Sequence, residues 1–339
     1  MTSRRFKIGG TMKILLIDFD STIPNYALHK IELYHKTRGD LVIWNLKDLI
    51  GKVDKTYISV IFSINRPLVE KYAALPNVVI GGSGWSFENK LPDEIEKLRP
   101  KLNIGFTTRG CIRKCPFCIV WRKEGAISVY GDLYDFWDGK SKNMLFLDNN
   151  ILGLPDHFNK IIDQCKKEKL IIDFNQGMDI RLMTEAIAKK MTEVRWGEIR
   201  FAYDNSNIRE IFFKNLKIFL KHNPSTSVVV YTLSGFTEHC LADDVRRSHE
   251  LRNYGLKPYT MIYNQKEKLK PNEYPIYSDL HRWNSGFCYN KYSFEEYLRG
   301  QKKIKDLYLA GYELKDISFK KGDHYGKNDK ASRLAAIQD

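Results

Sequence analysis

The chain has 339 residues, of which 43% are hydrophobic and 13% aromatic, and a formal net charge of +14. That size accommodates two domains, or one large domain with appendages, and the hydrophobic share excludes a chain too polar to bury a core. No stretch approaches the roughly 20 apolar residues of a membrane-spanning helix, and the amino-terminal MTSRRFKIGGT is basic without the apolar centre of a secretory signal; a cytoplasmic protein without a membrane partner is the expectation.

From Met12 the chain alternates strand-like and helix-like segments. KILLIDF is an apolar run of strand length, and NYALHKIELYHKTRG carries apolar residues at helical spacing up to Gly39. DLVIWNL, TYISVIF and NVVIGGSG follow as short strands, with a helix-like RPLVEKYAAL between the last two. Strands separated by helices predict a parallel sheet. Residues 1–98 therefore read as a small Rossmann-like α/β domain, with residues 1–11 an extension ahead of its first strand. The glycines of Gly81 to Gly84, directly after a strand, are of the kind that lets the backbone bend.

The run TTRGCIRKCPFCIVW then brings Cys111, Cys115 and Cys118 together at CxxxCxxC spacing in a chain with six cysteines. Three thiolates can hold a metal centre but leave one coordination position to be filled from elsewhere. Structural zinc would take a fourth ligand from a second CxxC or a nearby histidine. No histidine lies between His35 and His157, and Cys165, Cys240 and Cys288 stand singly. A disulfide framework suits small secreted chains rather than one able to bury a large core. An iron-sulfur cluster held by three cysteines would present one iron to a small molecule.

Residues 99–275 continue the alternation in longer units. NIGFTTRG reads as the strand leading into the cysteine loop, and MLFLDNNIL ends in Asp148, Asn149 and Asn150. LIIDFNQGMDIRLM carries Asn175, Gln176, Asp179 and Arg181 at or beyond its polar end, and EIRFAYDN ends in Asp204 and Asn205. SVVVYTLSGF precedes Thr237 and Glu238, and KPYTMIYN is the last strand; TEAIAKKM and DDVRRSHELRNYG are helix-like. In α/β barrels the functional groups sit at the carboxyl ends of the strands. Cys165, in the helix-like DHFNKIIDQCKKEK, reads as a packing residue. Residues 276–339 form an aromatic and basic extension whose rings either stack on bases or pack over the barrel mouth, with Ser293 as a helix N-cap and a flexible end.

The CxxxCxxC loop, with Phe117 immediately before its third cysteine, resembles the hallmark of the radical S-adenosylmethionine (radical SAM) superfamily. The resemblance covers roughly residues 100 to 270 and implies an α/β fold in which a partial (β/α)6 TIM-type barrel follows the Rossmann-like domain. It further implies a 4Fe-4S cluster on Cys111, Cys115 and Cys118, with S-adenosyl-L-methionine chelated to the open iron and reductively cleaved to a 5'-deoxyadenosyl radical that modifies a substrate, methyl transfer being one outcome. By the same resemblance Phe117 packs beside the adenine. Many members bind the cofactor amino group with Gly-Gly-Glu; this chain has LDNN, which puts Asp148 with Asn149 or Asn150 in that role, or in a strand-end Asx turn. Arg181 stands where relatives face the cofactor carboxylate, and equally suits a pairing with Asp179 or Asp204. Asp204 and Gln176 suit the ribose hydroxyls or the substrate. A reductant such as flavodoxin or ferredoxin is the implied partner.

The first domain resembles the cobalamin-binding module of one branch, with Gly81 to Gly84 at the glycine-rich turn near the corrin tail, yet the chain has no DxHxxG; cobalamin module and empty scaffold both stand. The rival reading is a nucleic-acid-binding protein with a purely structural metal centre, for which the net charge of +14 speaks although the lysines and arginines are dispersed.

Overall fold

The computed structural model describes residues 11–236, 241–263 and 272–317. Nearly all of the 1–11 extension, Thr237, Glu238, Cys240 and the last twenty residues lie outside the described residues. The chain divides into two compact units, Met1–Gly105 with Tyr134–Gly139, and Phe106–Leu133 with Lys140–Asp339.

In the first unit β1 (Lys13–Asp18), β2 (Leu41–Trp44), β3 (Lys55–Ser59) and β4 (Val78–Gly81) form a parallel sheet in the order β2-β1-β3-β4. The run Ile14 to Ile17 is apolar throughout because β1 is buried on both sides. Ile14 and Leu16 pack with Leu28 and Ile31 of helix α1 (Tyr26–Thr37), while Leu15 and Ile17 pack with Val69 of helix α2 (Arg66–Glu70). Asn25 caps α1 by accepting the Leu28 N–H at 3.2 Å, and Gly39, at φ +84°, ends it.

The second unit opens with β5 (Thr108–Arg109) and β6 (Ser128–Val129), an antiparallel pair. β7 (Asn143–Phe146), β8 (Ile171–Phe174) and β9 (Arg195–Trp196) pair in parallel, as do β10 (Ile199–Ala202), β11 (Val228–Ser234) and β12 (Lys257–Ile262). Only Gly197 and Glu198 separate β9 from β10, and a parallel bridge from Met178 to Phe201 ties the segment after β8 to β10. Neighbours in space therefore follow chain order. Between them run helices α3 (Pro155–Glu168), α4 (Glu185–Met191), α5 (Arg209–His222) and α6 (Leu241–Asn253), the crossovers that parallel pairing requires. Among the described residues no helix is long and apolar enough to cross a membrane.

NIGFTTRG is not one strand: Ile104–Gly105 and Thr108–Arg109 are separate two-residue strands. The N–H groups of Thr107 and Thr108 are taken by the Asp148 carboxylate instead of a ladder partner. The aromatic stretch after residue 275 forms helix α7 (Tyr274–Ser285) and helix α8 (Phe294–Gly300), the latter capped by Ser293 and Glu296 in a capping box. Its Tyr277, Trp283, Tyr289 and Phe294 fill a core shared with Leu241 and Val245 of α6, while Phe287, Tyr292 and Tyr308 are exposed. Cys165 is fully buried on α3, and burial pushes its thiol up to about 12.

Candidate metal centre

The cysteine loop is carried by the β5/β6 pair and fixed at both ends. Gly110 takes φ +77°, and a Cβ there would stand 2.3 Å from the Ala126 carbonyl oxygen, so the close return of the loop requires glycine. The Cys111 N–H donates to the Gly125 oxygen at 3.2 Å. Glu124 clasps the same turn, accepting the Gly110 N–H and the Asn149 side-chain amide at 2.9 Å each while pairing with Arg109 at 3.0 Å.

All three cysteines are half-buried. Cys111 Sγ accepts the Arg113 N–H at 3.3 Å and the Asn150 Nδ2 at 3.7 Å, and Cys118 Sγ accepts the Val120 N–H at 3.5 Å. Trp121 Nε1 and the Cys118 N–H both donate to the Cys115 carbonyl at 3.0 Å. Amides aimed at sulfur suit ligating thiolates. Burial, with the neighbouring thiols adding to it, pushes Cys115 and Cys118 above the ordinary thiol range, and Arg181 partly opposes this at Cys115. Holding Cys115 and Cys118 as thiolates therefore calls for added positive charge, which a metal centre would supply.

The strand ends supply the surroundings. Asp148, 1% exposed, accepts four hydrogen bonds: from the Thr107 N–H at 3.1 Å, the Thr107 hydroxyl at 2.7 Å, the Thr108 N–H at 2.5 Å and the Thr108 hydroxyl at 2.7 Å. The carboxylate braces the segment entering the cysteine loop. Asn149 is turned to Glu124, and Asn150 lies between Cys111 and the Asp179 N–H, which it accepts at 3.4 Å. Gln176 is exposed.

Arg181 meets Asp179 through Nε at 2.6 Å and Nη2 at 3.0 Å, and its charge favours the thiolate of Cys115. Asp204 accepts the Leu233 N–H at 3.1 Å; burial lifts its carboxyl to about 6 against the pull of Arg247 and Arg181. Arg247 of α6 is itself buried, donating to the Tyr203 carbonyl at 2.5 Å and the Leu233 carbonyl at 2.7 Å and pairing with Asp244. Phe117 lies edge-on to Phe236 at 5.4 Å, and Phe236 edge-on to Tyr263 at 4.8 Å, so an aromatic chain runs from the cysteine loop to the carboxyl ends of β11 and β12.

The structure thus gathers Asn150, Arg181 and Asp204 around the cysteines and leaves Gln176 at the surface. Glu124, Arg113 and Arg247 emerge only from the fold. Glu124 has one sequence signal, as the acid directly after the strongly basic stretch Arg109 to Lys123; Arg113 has none, because its partner Asp179 lies far away in the chain, and Arg247 has only the i,i+3 spacing to Asp244. In the first unit, a Cβ on Gly82 would stand 2.1 Å from the Val60 oxygen and one on Gly84 2.5 Å from the Phe62 carbonyl carbon. Two loops in close approach account for that glycine turn without a corrin.

Among the described residues no three His, Cys, Asp or Glu side chains converge closely enough to ligate a single ion. Three cysteines on one loop, with amides directed at the sulfurs of Cys111 and Cys118, are a donor set that an iron-sulfur cluster accepts. No protein-family model matches this sequence, and no curated protein matches it.

Proposed function

We propose that this protein is a radical SAM enzyme whose 4Fe-4S cluster is held by Cys111, Cys115 and Cys118. The observation that carries the reading is the three-cysteine loop itself, with N–H groups donating to the sulfurs of Cys111 and Cys118 and polar strand ends around it. When bound, the cluster supplies the electron that splits the sulfonium of S-adenosyl-L-methionine and yields a 5'-deoxyadenosyl radical.

The protein's own residues would do the rest. Phe117, with its ring on Phe236, offers an apolar surface for an adenine at the loop. Asn150 and Asp204 offer acceptors for an ammonium or for hydroxyls, and Asp204 can carry a proton near neutrality because burial lifts it to about 6. The clasp of Glu124 on Gly110 and Asn149 holds the loop in shape. A low-potential electron donor such as flavodoxin or ferredoxin is the partner this chemistry needs.

The same reading makes the two parallel sheets one arc, a partial (β/α)6 barrel whose half-buried inner face carries Asp173 paired with Arg200, and Tyr231 reaching the Asn175 carbonyl at 2.8 Å. Strand neighbours in chain order and the Met178 to Phe201 bridge support it. The reading does not extend to cobalamin.

Anaerobic reconstitution with iron and sulfide, followed by S-adenosyl-L-methionine and dithionite, should give 5'-deoxyadenosine. Cys111→Ala, Cys115→Ala and Cys118→Ala should each abolish it. Zinc in place of iron and sulfide, no nucleoside product, and salt-dependent binding of RNA or DNA would replace this reading with that of a nucleic-acid-binding protein.

A further inference from the structure

We propose that the turn between α7 and α8 binds single-stranded nucleic acid, with Phe287 and Tyr292 stacking on unpaired bases and Lys291 and Arg282 meeting backbone phosphates. The two rings are 49% and 50% exposed, beside Trp283, Tyr289 and Phe294, which are buried. Phe287 also has a left-handed backbone, at φ +55°, a conformation that glycine takes up freely and a residue with a Cβ disfavours. The surrounding turn imposes it. The Phe287 N–H donates to the Asn284 oxygen at 3.2 Å, the Phe287 oxygen accepts the Asn290 N–H at 3.1 Å, and the Cys288 oxygen accepts the N–H groups of Lys291 and Tyr292 at 3.0 Å each. Tyr289 is turned into the core, with the Arg252 guanidinium 3.7 Å from its ring centre, and the Tyr292 oxygen accepts Trp283 Nε1 at 3.0 Å. A phenylalanine held where glycine would fit better points to a use for its ring. A turn closed in this way presents that ring at little further cost in freedom.

The charges around the turn favour phosphate. Arg282, 64% exposed, and Lys303 share the buried carboxylate of Asp279, at 3.3 and 3.7 Å, and Lys291 is exposed. The acids of α8 are engaged: Glu295 pairs with Arg299 at 2.7 Å, and Glu296 accepts the Ser293 N–H at 2.9 Å. Three cations therefore face two carboxylates, and the balance is positive. Aromatic faces interleaved with cations suit bases joined by phosphates. The bases must be unpaired, because those of a duplex already stack on one another.

The inference stands on these residues alone and is independent of what the cysteines hold. The test is fluorescence anisotropy of the full-length protein with a labelled single-stranded RNA of about 12 nucleotides, beside the same sequence as single-stranded DNA and as RNA duplex. Single strands should bind and the duplex should bind at least about tenfold more weakly; a preference between the strands names the natural one. Tyr292→Phe should bind as the wild type does, whereas Tyr292→Leu, apolar without a flat face, should lose about tenfold. Phe287→Gly should lose about tenfold as well, with no drop in its thermal midpoint, because glycine suits the backbone there. Lys291→Gln should flatten the dependence of log affinity on log salt by about 0.7. A duplex bound as tightly as the single strands, full affinity in Tyr292→Leu or Phe287→Gly, or a wild type that binds no strand overturns the inference. So does self-association of the wild type that Tyr292→Leu abolishes while no strand binds, which would assign the rings to a second copy of the chain.

Discussion

At the scale of single residues, function near the cysteine loop depends on a few groups held in unfavourable states. Asp204 is one, since burial raises its carboxyl from the ordinary range to about 6. A carboxyl raised in the folded state contributes stability that is fully present below its unfolded value near 4 and is lost as the pH climbs through about 6. Asp204→Asn keeps an acceptor for the Leu233 N–H and removes the buried charge. In the metal-free protein the variant should therefore gain on the wild type by up to about 3 kcal/mol at pH 8 and by little at pH 4, as read from paired denaturant melts. Gly110 is the other, because its backbone is left-handed and its Cβ position is occupied by the Ala126 oxygen. Gly110→Ala should cost about 1–2 kcal/mol from the backbone alone and reduce iron uptake on reconstitution, measured by thermal denaturation and by iron analysis. Unchanged iron content would mean that the loop tolerates another shape.

Among the elements, those with a continuous burial demand were legible from composition and period. The apolar runs at residues 13–18 and 228–234 are strands, and the stripe in residues 155–168 is a helix, because each buries a face that its side-chain spacing defines. The strand expected before the cysteines was not legible, since Asp148, some forty residues away in the chain, captures the N–H groups of Thr107 and Thr108. The aromatic stretch after residue 275 carried too little period to show its helix, yet Trp283 is fully buried and shares a core with α6. Trp283→Ala should cost about 3–5 kcal/mol. Hydrogen exchange should then show lost protection in α6 as well as in α7; loss confined to α7 would mean the two do not share a core.

For the whole molecule, the division into units does not follow a single cut in the chain. Residues Tyr134–Gly139 belong to the first unit, where fully buried Phe136 lies edge-on to Tyr26 at 5.7 Å and against Gly105, whose Cβ position it occupies. Asn103 and Asp138 exchange hydrogen bonds at 2.9 and 3.0 Å in the same place. Phe136→Ala should therefore loosen the first unit, with loss of about 3–5 kcal/mol and faster exchange among residues 12–105, although the substitution falls between two stretches of the second. Unchanged exchange there would show that Phe136 does not brace it.

What the sequence determined alone is the chemistry on offer: three thiols at fixed spacing, a string of polar strand ends and an alternation of strands with helices, all set by residue type and local period. The tertiary structure decided how those groups are spent. Asp148 faces two threonines, Asp179 takes Arg113 as well as its neighbour Arg181, and Gln176 faces solvent, because a polar side chain is committed by whichever partner the fold brings within hydrogen-bond reach. Spacing along a chain cannot encode a partner forty or sixty residues away; packing of the core does.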